Sequence, residues 1–514
     1  MKRLAAIPYG LIVVAVALLT RAATLGLESL WFDEAFTFRV ASPGTDFWRA
    51  ILGDDHPPLW SMIQWLNLRL IGTSEAAYRL PAMLASVAAC WLIYRIALHL
   101  SRDRKLALIA GLLSALLPAS IYFGQDGRMY AFLAMLLLLM IYAAMLERWW
   151  LVALAGILAE YTQPAALMYI AAIGLVMLWH YGRDVLNLVY FARGYLKYRK
   201  PIYLRCARCL AKPFLALAAI ALAYLPWTGI MITQAARVYE SFWTPPLNPV
   251  NVLWPFILDT AGSRATDLLQ PFIYGAFILL TAIGVWTFVR TKAYEWGALR
   301  NHLYIMVPIV GGPLLLALVS LLWGRSIYVY RPMLVSGLLL TIPWAYALTR
   351  INLADRRALQ AATAIALAMG VFFYYTNNRR EDMPTWLTPI TSHWEPGDVI
   401  YYTNGTPAVT DEHYLPASYP YALRPYHGNV MSITDEVRSA FHMPSLQFDE
   451  LRTVGYSRAW VVTVINPFTE DGETGYIASI LLNHPVLWEE VVPTSKISVD
   501  SIYLVDLCSP SCQF

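Results

Sequence analysis

Eleven stretches of this chain are apolar enough to lie in hydrocarbon, and Lys and Arg gather in every second gap between them. The stretches are 7–24, 80–99, 106–122, 129–146, 149–163, 164–180, 212–228, 271–289, 302–323, 332–349 and 358–375; a membrane helix takes about 20 mostly apolar residues. With Lys2 and Arg3 holding the N-terminus in the cytoplasm, alternation puts 100–105, 147–148, 181–211, 290–301 and 350–357 inside. These are the basic loops. The segment 181–211 alone holds Arg183, Arg193, Lys197, Arg199, Lys200, Arg205 and Arg208 against Asp184. Cytoplasmic loops collect positive charge, and one helix more or fewer would scatter the basic loops over both sides. Composition agrees: only 14% of residues are charged and 58% are hydrophobic. An ordinary soluble protein has about 25% charged residues. Both a soluble multidomain enzyme and a disordered chain are excluded.

The net charge of +4 hides a division. Residues 1–375 carry 31 Lys and Arg against 17 Asp and Glu, whereas 376–514 carry 7 against 17. The tail is not membrane-like. Asp398–Tyr402, Ala459–Ile465 and Ser501–Val505 read as buried strands, and Ile433 to Val454 has helical character. Strands alternating with helices point to an α/β unit. The expected architecture is a polytopic α-helical membrane protein, with a transmembrane module over 1–375 and an extracytoplasmic α/β domain over 376–514.

Alternation leaves 25–79, 123–128, 229–270, 324–331 and the tail outside. In the first of these, the apolar stretch from Pro58 to Ile71 is too short to span and reads as a helix lying at the interface. Trp31, Trp48, Trp60 and Trp65 suit headgroup depth there. Ionisable groups clustered at one membrane face are the informative feature. Asp33 and Glu34 stand between aromatic residues just after the first span. Asp54, Asp55 and His56 precede the double Pro that starts the interfacial helix, and a helix N-terminus favours anions. The second outer loop holds Gln125, Arg128 and Tyr130, with Gln125 and Arg128 spaced to share one face of a turn. The loop 324–331 ends on Tyr330-Arg331. Taken singly, each is ordinary: a helix cap, a loop residue, a boundary charge. Together they bring carboxylates, a His and Arg residues to one face. Cations there can hold a phosphate and a carboxylate can deprotonate a hydroxyl. The pattern points to a transferase using a lipid-linked phosphate donor.

The order of short motifs resembles the glycosyltransferase family 39-like membrane proteins of the GT-C fold, among them protein O-mannosyltransferases and the lipid A aminoarabinose transferases. The motifs are Trp31-Phe32-Asp33-Glu34-Ala35, His56-Pro57-Pro58-Leu59, Tyr78-Arg79-Leu80-Pro81, Gln125-x-x-Arg128-x-Tyr130 and Tyr330-Arg331-Pro332. The resemblance covers the membrane part and implies a GT-C fold, a polyprenyl-phosphate sugar as donor and an extracytoplasmic active site. It implies Asp33 as catalytic carboxylate with Glu34 as auxiliary, and His56, Arg128 and Arg331 at the donor phosphate. Asp55, Gln125, Tyr130 and Tyr330 join them as candidate substrate-binding residues. The family's usual order is Arg-Tyr before the span that here covers 332–349, whereas in this chain it is Tyr330-Arg331.

The expected reaction is a single displacement at the anomeric carbon, with inversion, onto an acceptor hydroxyl. A sugar phosphate carries its own leaving group, so no metal or other cofactor is required; Asp54 and Asp55 are the residues a divalent ion would use. The expected partners are the polyprenyl-phosphate sugar, a lipid, glycan or protein acceptor, and membrane lipids; nucleic acid is not expected. A bacterial-type inner membrane is the expected location. The rival readings are a lipid or polysaccharide transporter or flippase, which would place polar groups within broken helices at mid-membrane, and an oligosaccharide ligase, which gathers its essential residues in a large late loop. The topology has a direct check. A single cysteine at Ser392 should react with a membrane-impermeant thiol reagent in intact cells; reaction only after lysis would put the site on the wrong side.

Overall fold

The computed structural model describes residues 9–182, 184–241, 244, 246–248, 252, 270–290, 296–351, 353–377, 382–425, 433–465, 470–493 and 499–508. Among the described residues, each of the eleven apolar runs is mainly helical. After α1 (Tyr9–Ala22) come α2 (Phe32–Ala41), α3 (Phe47–Gly53) and α4 (Leu59–Leu70). The bundle continues through α5 (Glu75–Ser101), α6 (Arg104–Leu116), α7 (Pro118–Gly124), α8 (Tyr130–Met145), α9 (Trp149–Glu160) and α10 (Ala166–Tyr181). Then come α11 (Asp184–Tyr198), α12 (Pro201–Ser241), α13 (Gln270–Arg290), α14 (Trp296–Trp323), α15 (Leu334–Arg350) and α16 (Leu353–Asn377). Five helices are long and apolar enough to cross a membrane singly, and two bent pairs, α6 with α7 and α10 with α11, bring the number to seven. The remaining apolar helices, α1, α8, α9 and 275–290 of α13, are shorter. Burial shows which helices are central: 94% of the apolar window in Arg331–Arg350 is buried within the protein, against 22% for α12. The first is the heart of the bundle. The second turns its Leu215, Leu222 and Leu225 outward, where only lipid can cover them.

The α6–α7 pair bends by 60° at Leu117-Pro118. Pro118 has no N–H to continue the ladder, so the last carbonyls of α6 need other donors. Arg21, fully buried on α1, supplies one: its Nη1 donates to the Ala115 carbonyl at 2.7 Å. Its other N–H groups reach Ser86 Oγ (2.9 Å) and Ser120 Oγ (2.7 Å). A cation inside the bundle is thus fully hydrogen-bonded, as burial of charge demands.

After α17 (Met383–Trp386) and α18 (Thr388–Ser392), the tail builds a five-stranded sheet in the order β2-β1-β3-β5-β4. The strands are β1 (Asp398–Tyr402), β2 (Tyr421–Leu423), β3 (Arg458–Ile465), β4 (Val486–Pro493) and β5 (Val499–Asp506). Strand β1 pairs in parallel with β2 and β3, while β5 is antiparallel to both β3 and β4. Helices α19 (Gly405–Asp411), α20 (Asp435–Ala440), α21 (Glu450–Val454) and α22 (Glu470–Asn483) accompany the strands. The three strands read from sequence are β1, β3 and β5. The single helical stretch expected over 433–454 is broken in two, because His442 takes a left-handed φ of 55° and Pro444 follows; a β/PPII conformation is forced before a proline.

The feature that sets the site is how α2 is held between bundle and tail. Arg39 at its end donates to the Phe441 carbonyl at 2.9 Å and pairs with Glu412 at 3.0 Å. Just before α2, the Leu30 N–H donates to Tyr414 Oη at 2.7 Å, and the Phe36 and Phe441 rings meet at 5.6 Å.

Candidate active site

Helix α2 opens with Asp33 and Glu34 in its first turn, where carboxylates oppose the positive end of the helix dipole. Adjacent residues on a helix point about 100° apart, and the two carboxylates meet different surroundings. Glu34 is fully buried. Its oxygens accept from Arg79 Nε at 2.8 Å and Arg79 Nη2 at 2.7 Å, and from the Gly127 N–H at 2.5 Å. Arg79 spends its other N–H groups on the carbonyls of Leu25, Glu28 and Ser29. Asp33 instead keeps 22% of its side chain exposed and is paired through Oδ2 with Arg331 Nη1 at 2.5 Å. Of the two expected catalytic carboxylates, only Asp33 stands where a substrate can arrive.

Arg331 begins the 3₁₀ turn Arg331–Met333 that leads into α15. Its guanidinium lies 4.8 Å from the Trp31 ring centroid, a cation–π contact, and it hydrogen-bonds Tyr130. Tyr330 packs its ring 6.2 Å from Phe123. Arg128, from the loop between α7 and α8, donates from Nη1 to the Asp33 carbonyl at 3.0 Å and to Thr37 Oγ1. Asp33 and Thr37 are four residues apart and so share the face that Arg128 meets. The buried Arg128 Nε has no partner among the described residues. Burial works against the charge of Arg128, yet Asp33 and Asp54 hold its pKa above the usual guanidinium value. Gly127 is needed for this approach: a Cβ there would come within 2.1 Å of the Tyr78 ring. The Gly127 carbonyl accepts from Trp60 Nε1 at 2.9 Å and Gln64 Nε2 at 3.1 Å, both on α4.

The loop 54–56 adjoins the same cation. His56 Nδ1 lies 3.2 Å from Asp54 Oδ1. Desolvation raises the Asp54 carboxyl, but His56 and Arg128 outweigh it and leave it below the usual range. Asp55 is pushed up to about 6 by burial and by the Asp54 charge beside it, against the pull of His56 and Arg237. Two residues of α12 fasten the loop: Gln234 Nε2 and Arg237 Nη2 donate to the Asp54 carbonyl at 2.8 and 2.9 Å. Arg237 Nε also lies 3.9 Å from Asp55 Oδ1. Among the described residues no three His, Cys, Asp or Glu side chains gather as a cation site.

The common face expected for Gln125 and Arg128 does not form. Gln125 caps the end of α7 and turns to α1, donating to the Arg21 carbonyl at 2.6 Å and Thr24 Oγ1 at 2.9 Å. Tyr374 of α16 donates to its Oε1 at 2.5 Å. Gln125 therefore ties helices together, while Arg128 faces α2. Nothing in the sequence assigns a role to Thr37, Gln234 or Arg237, and Arg79 stands out there only as part of the Tyr78-Arg79-Leu80-Pro81 motif. For Arg79 a signal was present: a buried cation at the head of a span calls for a counter-charge. The three others carry no such mark.

Removing one partner of a buried pair strands the other charge, which costs about 3–5 kcal/mol. Glu34→Gln should therefore lower thermal stability in detergent by that order. In Asp33→Asn the partly exposed pair with Arg331 is lost at little cost, roughly 0–1 kcal/mol. Equal melting temperatures for the two variants would contradict this division of roles.

Residues 55–196 match the family model described as dolichyl-phosphate-mannose-protein mannosyltransferase. Among solved structures, the chain is similar to ArnT from Cupriavidus metallidurans in the apo state, at 15% identity and a TM-score of 0.56, covering 95% of this chain and 97% of that one. It is similar also to the same protein bound to undecaprenyl phosphate, at 14% identity and a TM-score of 0.55, covering 96% and 98%. No curated protein matches by sequence. The family-model match takes in His56, Arg79 and Arg128, the structural match runs almost end to end, and the resemblance read from the motif order is thereby borne out: the chain is a polytopic helical membrane protein with the GT-C glycosyltransferase fold.

Proposed function

We propose that the protein transfers a sugar from a polyprenyl-phosphate donor to an acceptor hydroxyl on the extracytoplasmic side, with inversion. The observation that carries this is the meeting of Arg331, Arg128 and Asp33, from three separate outer loops, at one partly open point. The undecaprenyl phosphate bound in the similar ArnT structure is a ligand of the class this reading requires. The helical module over 1–375 carries the chemistry, and the α/β unit over 376–514 belongs to the same face.

Asp33 is the base. It takes the proton of the acceptor hydroxyl as that oxygen bonds to the anomeric carbon. The bond from that carbon to the phosphate oxygen breaks, and polyprenyl phosphate leaves with the electron pair. Negative charge grows on the leaving phosphate, so cations fixed in advance favour the transition state. Arg331 has a hydrogen-bonding fork suited to phosphate. In the resting protein that fork is occupied by Asp33. An arriving phosphate competes for it, which loosens the ion pair and frees Asp33 to accept a proton. Arg128 offers its unpartnered Nε–H. His56 donates from a second side, either protonated or as neutral N–H. Tyr130 and Tyr330 frame Arg331, Asp55 tunes the charge of the His56 loop, and Gln125 serves the scaffold. Glu34 acts through Arg79 by fixing α2, so its role is positioning.

In membranes normalised for protein, Asp33→Asn should lower transfer from a labelled polyprenyl-phosphate sugar by about 10²- to 10⁴-fold, with donor binding retained. Arg331→Ala should weaken donor binding, because a charge-assisted hydrogen bond contributes about 1.5–3 kcal/mol; Arg331→Lys should restore it in part. Full turnover in Asp33→Asn would sink the assignment of the base, and unchanged donor affinity in Arg331→Ala would move the phosphate elsewhere.

The raised Asp55 carboxyl, at about 6, gives a pH signature. Below that value it is largely neutral; above it a second anion stands beside Asp54, in the loop whose charge reaches Arg128. Donor affinity should fall as pH rises through about 6, and Asp55→Asn should flatten that decline. A decline of unaltered size in Asp55→Asn would assign the pH dependence to another group.

A further inference from the structure

A cavity of about 310 Å³ lies between α2 and the tail, on the opposite side of α2 from Asp33. Helical periodicity puts Asp33 and Thr37 on one face and Phe38, Arg39 and Ser42 on the far one. The first face meets Arg128. The second forms one wall of the cavity, and Tyr402, Glu412, His413, Tyr419 and Tyr421 line the rest. The space is within the ordinary size range of small-ligand clefts, roughly 300–1,000 Å³.

The chemistry of the lining narrows the ligand. Its guanidinium and its carboxylate are matched to one another, Arg39 Nη2 lying 3.0 Å from Glu412 Oε1, and His413 Nε2 lies 3.8 Å from Glu75 Oε1. Neither an anion nor a cation is favoured. Arg39 and Glu412 remain about a quarter exposed, so a donor and an acceptor stand side by side in the wall. Around them are phenol rings, one of which, Tyr419, is stacked on Trp394 at 3.7 Å with an interplanar angle of 6°. Flat aromatic faces beside a paired donor and acceptor are complementary to a polyhydroxylated ring, whose C–H faces are apolar and whose edge hydroxyls both donate and accept. A lipid chain offers nothing to Arg39 Nε and Glu412 Oε2, which have no partner among the described residues, and a phosphate would meet Glu412.

We propose that this cavity is an ancillary saccharide-binding subsite for an uncharged sugar unit of the acceptor. It rests on the transferase reading for the word acceptor, but not for the binding. The cavity is separated from Asp33 by the thickness of α2, about 10 Å with side chains, so the unit held here is one sugar removed or more from the reacting hydroxyl. Because Arg39 also fixes the end of α2 to the Phe441 carbonyl, occupancy presses on the helix that carries Asp33.

The test uses the full chain in nanodiscs and saturation-transfer NMR. The probes are free glucose, mannose, galactose and N-acetylglucosamine and their disaccharides, with glucuronate and glucosamine as charged comparators. At least one neutral sugar should receive saturation. Ala417→Trp, at the exposed mouth, should reduce that signal at least tenfold, while Asp33→Asn should leave it intact. Glu412→Gln, which leaves the Arg39 charge unmatched, should raise the glucuronate signal relative to glucose. No neutral-sugar signal above the Ala417→Trp level overturns the subsite, as does equal binding of charged and neutral sugars in the unaltered protein. Sugar binding without any donor turnover would reject the transferase reading and keep the subsite; donor turnover without sugar binding would do the reverse.

Discussion

The region between α1 and α5 is organised around one guanidinium. Arg79 enters α5 within its second turn and sends its N–H groups to both Glu34 oxygens and to the carbonyls of Leu25, Glu28 and Ser29. The chain leaving α1 therefore wraps round a single buried cation before α2 begins. Such a pair contributes little net stability, because two charges had to leave water. Its effect is on geometry. With Glu34 locked, the rotation of α2 about its axis is set, and Asp33 is turned toward Arg128 and Arg331 rather than toward the core. The Gly127 N–H on the same Glu34 oxygen fixes the Arg128 loop relative to that helix. Asp33 and Arg128 are thus placed by one hydrogen-bonded network around Glu34.

The electrostatics follow from that placement. Arg331 pairs with the Asp33 carboxylate, Arg128 donates to the Asp33 carbonyl, and the Arg128 Nε has no partner among the described residues. Asp54 acts on Arg128 from the adjacent loop. A phosphate arriving there meets donors already oriented, so little reorganisation accompanies the reaction.

Much of this was legible in the chain. The apolar runs, the alternation of basic loops, the short helix from Leu59 and strands β1, β3 and β5 are all set by local pattern, and local pattern is what a sequence displays. Proline placement marked the start of α4, whereas the stretch read as one span over 106–122 is broken at Leu117-Pro118. The division of labour between Asp33 and Glu34 was not legible from pattern, since both are carboxylates in the same turn and their difference comes from Arg79, forty-five residues on. Gln125 and Arg128 share a spacing but not a partner, because Gln125 ends α7 and its side chain follows the bend of the chain back to α1. Strand β2 is three residues long and β4 carries Glu489 and Glu490, so neither shows the buried run that betrayed the others. His442 and Pro444 broke a stretch whose composition read as helix.

The tail bears on the chemistry through α2. One face of that helix is fixed by the bundle, through Glu34 and Thr37; the other is fixed by the tail, through Arg39, the Phe38–His413 ring contact at 4.6 Å and the Tyr414 bond to the Leu30 N–H. A ten-residue helix with little apolar asymmetry of its own would not hold its position at a membrane surface; isolated helices of that length are marginal. Its order comes from being clamped on both sides. Anything that loosens the tail from Arg39 therefore loosens Asp33, even though the two residues face opposite ways. The acidic tail and the basic membrane part thus act on one helix: the bundle holds α2 through Glu34 and Thr37, and the tail holds it through Arg39.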